Sequence, residues 1–128
     1  MRLLLDTHVA LWAIADDKQL PRQARDLILA EQNEVCVSAA SVWEIAIKHS
    51  LGRQDMPISG KQAAAWFHAA GYRLLPISAA HAAAVEELPA IHTDPFDRLL
   101  VAQALTEPLR LLTHDRTVAR YSDTILLV

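Results

Sequence analysis

The segment RLLLDTHVALWAIA, residues 2–15, changes from a strand pattern to a helix pattern at one point. Residues 2–6, RLLLD, are a short apolar run that ends in an acid, which is typical of a buried strand. In residues 7–15, Leu11, Ile14 and Ala15 recur at the spacing of one helix face. The segment therefore predicts a strand that leads directly into a helix, with Asp6 at the junction.

The rest of the chain repeats this alternation. Further strand patterns cover residues 34–37, 72–77, 109–113 and 124–127. Helical patterns cover residues 41–51, 62–70 and 79–88, and two more begin near Pro21 and near Pro95. Such alternation favours parallel strands joined by right-handed crossovers. We predict an α/β fold of three layers, α/β/α, with a central, mainly parallel sheet of four to five strands. Because no repeat or linker divides the chain, we expect a single domain over residues 1–128.

The composition restricts the class of protein. A chain of 128 residues that is 52% hydrophobic can bury a core, which excludes intrinsic disorder. The lone Cys36 excludes a disulfide framework and a Cys-rich zinc site, and it favours a reducing compartment. No apolar run reaches the roughly 20 residues that span a bilayer, and Asp6 and His8 interrupt the start that otherwise resembles a signal peptide. We therefore predict a cytoplasmic protein that does not enter a membrane.

Four acids take similar positions in the predicted elements. Asp6 ends the first strand and Asp115 follows the fourth. Glu44 and Asp97 fall in the first turns of two predicted helices. In an open α/β sheet, the segments that leave the carboxyl ends of the strands converge on one crevice, where ligands bind. We expect the four carboxylates to meet there.

Four neighbouring carboxylates predict a site for a divalent cation. They repel one another, and a hard cation that prefers oxygen ligands, Mg²⁺ or Mn²⁺, offsets this repulsion better than zinc or copper. One or two such ions can lower the pKa of a water and neutralise a leaving oxygen, which is what phosphodiester hydrolysis needs. The formal net charge of −3 argues against a broad nucleic-acid surface, although the chain is nearly neutral apart from these acids. Lys48, Arg98 and Arg116 lie near them in sequence and are candidates to hold phosphate.

Each acid also has a structural explanation. Asp6 can cap a helix, and the stretch SVWE that ends in Glu44 matches a capping box. Asp94 can cap the helix in which Asp97 supplies a favourable first-turn charge, and Asp115 can simply end a strand. Taken singly, each acid is explained as well by a cap as by catalysis. The joint pattern of four favours the crevice.

The histidines and aromatic residues carry less information. Three histidines lie within two residues of an acid, so a mixed His/Asp metal site is an alternative, but no HExxH spacing occurs. We interpret these three as loop or supporting residues: His8, His92 and His114. The other histidines are predicted on helix surfaces: His49, His68 and His81. The large aromatic residues fit buried stripes better than base-stacking platforms: Trp12, Trp43, Trp66 and Phe67.

Four stretches of the chain resemble the PIN-domain family, and more narrowly its VapC-type toxins of bacterial type II toxin–antitoxin systems. They occur in the family's order: LLLDTHVALW (residues 3–12), SAASVWEIAIK (38–48), HTDPFDRLLVAQA (92–104) and LLTHD (111–115). The resemblance implies a PIN-like fold and an endoribonuclease that depends on Mg²⁺ or Mn²⁺. It assigns the family's acids to these residues of the chain: Asp6, Glu44, Asp97 and Asp115. Asp94 is then the cap, and Thr7 and Thr113 supply hydroxyls nearby.

The resemblance also implies partners. Family members are typically homodimers that a cognate antitoxin holds inactive, and the antitoxin's C-terminal segment occupies the cleft, often with an arginine among the acids. The substrate is RNA, with transfer and ribosomal RNAs as the first to test.

Two other functions stay open from the sequence. One is a catalytically idle PIN-like domain that binds protein or RNA. The other is a phosphatase of the haloacid dehalogenase type, which also places an acid after an apolar first strand. That family has a second Asp two residues later, where this chain has His8.

Overall fold

A single sheet of five parallel strands forms the centre of the computed structural model, which describes residues 1–128. The strands are β1 (Arg2–Leu5), β2 (Glu34–Ser38), β3 (Arg73–Leu75), β4 (Arg110–Thr113) and β5 (Leu126–Leu127). They lie in the order β3-β2-β1-β4-β5, and every neighbouring pair is parallel. The predicted fold class is therefore confirmed, with five strands and no antiparallel pair.

Seven helices surround the sheet. They are α1 (Thr7–Ala15), α2 (Arg22–Leu29), α3 (Ala39–Ser50), α4 (Gly60–Ala69), α5 (Ala79–Ala84), α6 (Pro95–Thr106) and α7 (Arg116–Ala119). The predicted helix over 79–88 ends early, because the chain tightens into a 3₁₀ turn at Val85–Glu87. The sequence did not predict α7, since four residues are too short to show a helical period. None of the seven helices has the length and apolar character needed to cross a membrane.

The central strand β1 is buried on both faces, and each face has its own core. Leu3 and Leu5 belong to a cluster that includes Phe67 of α4, whereas Leu4 belongs to a second cluster that includes Leu100 of α6. Successive side chains of a strand point to opposite faces of the sheet, so α4 and α6 cover opposite sides. This two-sided burial explains why the strands appear in the sequence as continuous apolar runs.

The strand order brings the predicted acids to one edge. β1 and β4 are parallel neighbours, and the Asp6 amide donates a hydrogen bond to the Leu112 carbonyl at 3.0 Å. Asp6 and Asp115 therefore leave the same edge of the sheet. β2, on the other side of β1, leads at this edge into α3, which carries Glu44.

Helix α3 begins two residues earlier than predicted. Ser38 is its N-cap, and the Ser38 hydroxyl accepts a hydrogen bond from the Ala40 amide at 2.9 Å. Ser41 lies inside the helix, so the capping box predicted for Ser41 and Glu44 does not form. The Glu44 carboxylate is thus available for contacts outside its own helix terminus.

Three predictions of side-chain exposure are wrong. Trp43 and Trp66 are 54% and 46% exposed, although the Trp43 ring packs edge-to-face on Phe96, while Phe67, next to Trp66, is buried as predicted. His81 is buried and not on a surface. Its Nδ1 accepts a hydrogen bond from the Ser78 amide at 3.0 Å, in the capping box at the start of α5.

Gly60, the first residue of α4, packs directly against α3. A Cβ added at Gly60 would lie 2.7 Å from Ala46 Cβ and 3.0 Å from the Val42 carbonyl oxygen. We predict that Gly60→Ala lowers the free energy of unfolding by about 1–3 kcal/mol, because the overlap outweighs the helix propensity of alanine. Urea denaturation measures the change, and Ala65→Ser on the exposed face of the same helix serves as the control. If Gly60→Ala is as stable as the wild type, the contact between α3 and α4 is loose enough to accommodate the added methyl group.

Candidate functional site

A cleft of about 570 Å³ lies at the carboxyl edge of the sheet. It contains all four predicted acids, and only one of its lining residues is hydrophobic. The lining residues are Asp6, Thr7, His8, Trp12, Glu44, Lys48, His92, Asp94, Asp97, His114, Asp115 and Arg116. Segments that are distant in sequence thus deliver their carboxylates to one place.

Asp6 and Asp115 each use one oxygen as a helix cap and the other in a contact with a side chain. Asp6 Oδ1 accepts a hydrogen bond from the Val9 amide at 2.9 Å, while its Oδ2 accepts one from the Thr113 hydroxyl at 2.5 Å. Asp115 Oδ1 accepts from the Thr117 amide at 2.8 Å, while its Oδ2 lies 3.3 Å from His92 Nε2. The capping role of these acids therefore does not remove them from the cleft.

Asp94 and Asp97 divide the two roles between them. Asp94 Oδ1 accepts hydrogen bonds from the Phe96 amide at 2.8 Å and from the Asp97 amide at 3.1 Å, so Asp94 caps α6. Asp97 lies in the first turn of α6, where its carboxylate caps nothing. Asp97 Oδ2 lies 3.4 Å from His92 Nε2.

Glu44 is 4% exposed, and both of its oxygens have partners. The Thr7 hydroxyl donates to Glu44 Oε1 at 2.7 Å and lies 2.9 Å from the Ser41 hydroxyl. Lys48, one helical turn later, forms an ion pair with Glu44 Oε2. A buried charge is strongly destabilising unless it is paired, so these contacts explain how α3 tolerates the acid.

The electrostatics of the cleft single out Asp97. Burial, together with the charges of Asp94, Asp6 and Glu44, raises the pKa of Asp97 to about 7. Burial also raises the pKa of Asp6, although the hydrogen bond from Thr113 opposes the change. The cleft therefore holds more negative charge than its own hydrogen bonds and cations balance.

The pKa of Asp115 shifts in the other direction. Partial burial raises it, but the Thr117 amide and His92 outweigh that effect and hold the pKa below its ordinary value. Neighbouring carboxylates with opposite shifts are characteristic of functional sites.

The donor set fits a hard divalent cation. One ligand atom from each of His92, Asp97 and Asp115 lies within 4.8 Å of the other two. Asp6 and Glu44 line the same cleft, close enough to raise the pKa of Asp97. Carboxylate oxygens in excess of the local positive charge are the ligands that Mg²⁺ and Mn²⁺ prefer.

The residues predicted to contact substrate separate into three groups. Thr7, Lys48 and Arg116 line the cleft, and Arg116 is exposed and makes no ion pair. Thr113 is fully buried behind Asp6 and donates to it, so Thr113 positions that carboxylate. Arg98 does not line the cleft, so it is not placed to bind a phosphate there.

Arg98 points away from the cleft because other groups bind its guanidinium. It donates to the carbonyls of Pro89 and Val85, at 3.0 and 3.1 Å, and to the Tyr121 hydroxyl at 3.1 Å. Arg98 therefore fixes the loop that precedes α6.

Sequence reasoning underestimated the three histidines and Trp12. All four line the cleft. The Trp12 ring centre lies 6.2 Å from that of His8 and 5.6 Å from that of His114, so the three rings form one wall. The only sequence signal for this placement was their position close to Asp6 and Asp115.

Comparisons with known proteins agree with the fold. A family model described as "PIN domain" matches residues 3–123. The chain is 33% identical to Ribonuclease VapC22 of Mycobacterium tuberculosis over 117 residues. This alignment covers 89% of the chain and 87% of that protein.

Two solved structures share the fold. VapBC2 from Rickettsia felis, bound to a promoter DNA fragment, gives a TM-score of 0.71 at 18% identity and covers 100% of this chain and 98% of that one. DNA-bound VapBC from Salmonella typhimurium gives a TM-score of 0.68 at 17% identity, and the match covers 100% of this chain and 97% of that one.

The raised pKa of Asp97 predicts a pH-dependent penalty on the metal-free fold. Since this pKa rises from 3.8 to about 7 on folding, ionising Asp97 costs stability increasingly as pH rises through this range, and the penalty is complete above it. Asp97→Asn removes the ionisation, so it should stabilise the protein above neutral pH by on the order of 2 kcal/mol, within an upper limit of about 4.

Urea denaturation in EDTA at about pH 5 and about pH 8 tests this prediction, because the gap between variant and wild type should widen at the higher pH. Asp26→Asn, an exposed acid on α2, is the matched control. A gap that stays constant with pH would contradict the assignment of the charge penalty to Asp97.

Proposed function

The chain belongs to the PIN-domain family, and we propose that it is a divalent-metal-dependent endoribonuclease, the toxin of a type II toxin–antitoxin pair. The observation that carries the proposal is the cleft in which carboxylates from β1, α3, α6 and the end of β4 meet. The names of similar proteins support the same interpretation, since one is a ribonuclease and another was solved as a toxin–antitoxin complex from Klebsiella pneumoniae.

Asp6, Asp97 and Asp115, together with Glu44, are the residues that we propose hold one or two Mg²⁺ or Mn²⁺ ions. When bound, such an ion supplies a water of lowered pKa and neutralises charge on the leaving oxygen. Asp6 and Asp115 suit this role because both line the cleft and each is held in place by the helix terminus that one of its oxygens caps.

The other predicted residues would bind the RNA or hold the acids in place. Arg116, exposed and without an ion pair, is placed to hold a phosphate of the substrate. Lys48 balances Glu44, and Thr7 and Thr113 orient Glu44 and Asp6. In the hydrolysis, the bond between phosphorus and a ribose oxygen breaks; the hydroxyl of water goes to phosphorus, and the proton goes to the ribose oxygen.

The partners belong to the same proposal. A cleft with surplus carboxylates suits a cationic inhibitor, such as an arginine from a cognate antitoxin. We further propose a homodimer, a cytoplasmic location and a single nuclease domain over residues 1–128. The lone, buried Cys36 accords with a reducing compartment.

Asp6→Asn tests the catalytic proposal with little risk to the fold. Asparagine caps helices as well as aspartate does, so α1 should keep its N-terminus. We expect cleavage of purified transfer and ribosomal RNAs to fall at least about 100-fold, since even residues behind metal ligands affect activity or affinity 10–100-fold. Asp26→Asn removes the same charge from an exposed site and should cleave normally. Full activity of Asp6→Asn with metal present would exclude Asp6 from the mechanism.

Divalent-cation binding separates a nuclease from an idle binding domain. We expect Mn²⁺ to bind the wild type in calorimetry and to raise its Tm, because a ligand present at 100 times its Kd stabilises the fold by about 2.7 kcal/mol. EDTA should reverse the shift and abolish RNA cleavage. A protein that neither binds Mn²⁺ nor cleaves RNA would instead be the idle module.

A further inference from the structure

His92 occupies a fixed position between two of the proposed cation ligands. Its Nε2 lies 3.3 Å from Asp115 Oδ2 and 3.4 Å from Asp97 Oδ2. These two carboxylates come from different elements, the start of α6 and the segment after β4. No other side chain contacts both of them at these distances.

The hydrogen bonds of the loop fix the tautomer of the ring. His92 Nδ1 accepts a hydrogen bond from the Asp94 amide at 3.0 Å, and an accepting nitrogen carries no proton. The neutral ring therefore carries its proton on Nε2, which donates to Asp115 Oδ2 and lies 3.4 Å from Asp97 Oδ2. The backbone is held as well, since the His92 amide donates to the Tyr121 hydroxyl at 2.8 Å, which also accepts from Arg98.

The same hydrogen bond argues against His92 as a cation ligand. To bind a metal through Nε2, the neutral ring must move its proton to Nδ1. Two donors, Nδ1–H and the Asp94 amide, would then face each other across 3.0 Å. Leaving a half-buried donor without an acceptor costs about 1–3 kcal/mol, so the loop favours the Nε2–H form.

We infer that His92 is a positioning residue whose Nε2–H donates to Asp115 and, at 3.4 Å from Asp97, keeps the two carboxylates side by side as a pair of cation ligands, while His92 itself stays outside the ligand set. The inference rests on the proposed function. It has a consequence for metal choice, because a ligand set made only of oxygens selects Mg²⁺ or Mn²⁺, whereas an added imidazole favours zinc and later transition metals.

Nitrogen NMR of the full-length protein tests the tautomer directly. Long-range proton–nitrogen spectra with and without Mg²⁺, assigned by the signals missing in His92→Gln, should show a protonated Nε2 and an unprotonated Nδ1 in both states. A loss of the Nε2 proton when Mg²⁺ binds would make His92 a ligand and overturn the inference.

Mn²⁺ calorimetry on three variants tests the positioning role. We expect His92→Ala to weaken Mn²⁺ binding by about 10-fold or more, as loss of a group behind metal ligands does. His92→Gln, whose amide N–H stands the same number of bonds from Cα as Nε2–H, should recover most of that loss. His68→Ala, an exposed histidine on α4 outside the cleft, is the control.

The outcomes distinguish this inference from the proposed function. A wild type that binds no Mn²⁺ defeats the proposed function and the inference with it. If His92→Ala binds Mn²⁺ as tightly as the wild type does, the inference alone is wrong. Equal losses in His92→Ala and His92→Gln also defeat it, because the N–H would then not be the group that matters.

Discussion

Mutual repulsion among carboxylates gathered in one cleft is the constraint on which the rest of the site depends. Backbone amides, hydroxyls and Lys48 offset most of it, because each of Asp6, Glu44 and Asp115 receives at least two such contacts. Asp97 receives none from an amide or hydroxyl, and its pKa rises to about 7. The repulsion therefore falls mainly on Asp97, while burial raises the pKa of Asp6, and a divalent cation is the ligand that would offset both effects.

The parallel sheet makes this concentration of charge possible. The register that pairs Leu5 with Leu112 sets the ends of β1 and β4 side by side, so the residues that follow them share one edge. A shift of one residue would turn every side chain of β1 to the opposite face of the sheet, so each leucine would enter the core that was packed around its neighbour. The two-sided core therefore fixes the register, and the register fixes where Asp6 and the Thr113 hydroxyl meet.

The fold, the family and the meeting of the four acids could be predicted because they follow from short apolar runs and from position along the chain. The orientation of Arg98 could not be predicted, because adjacent residues of a helix point in different directions. Arg98 contacts the loop before α6, while Asp97 lines the cleft. The contact between His92 and Asp115 joins residues 23 apart, and no periodic pattern reports such a pair. Trp43 shows a further limit, because an apolar residue in a helical stripe can lie on its exposed side.

The choice between a helix cap and a catalytic acid, which the sequence poses for each aspartate, is not exclusive in the structure. A carboxylate has two oxygens, and in Asp6 and Asp115 one satisfies an amide of a helix terminus while the other contacts a side chain, Thr113 for Asp6 and His92 for Asp115. The cap holds the side chain in one orientation, which lowers the entropy lost when the carboxylate meets a cation. Capping thus prepares the site, and a search for catalytic acids that discards every helix cap would discard two of the four acids proposed to hold the cation, Asp6 and Asp115.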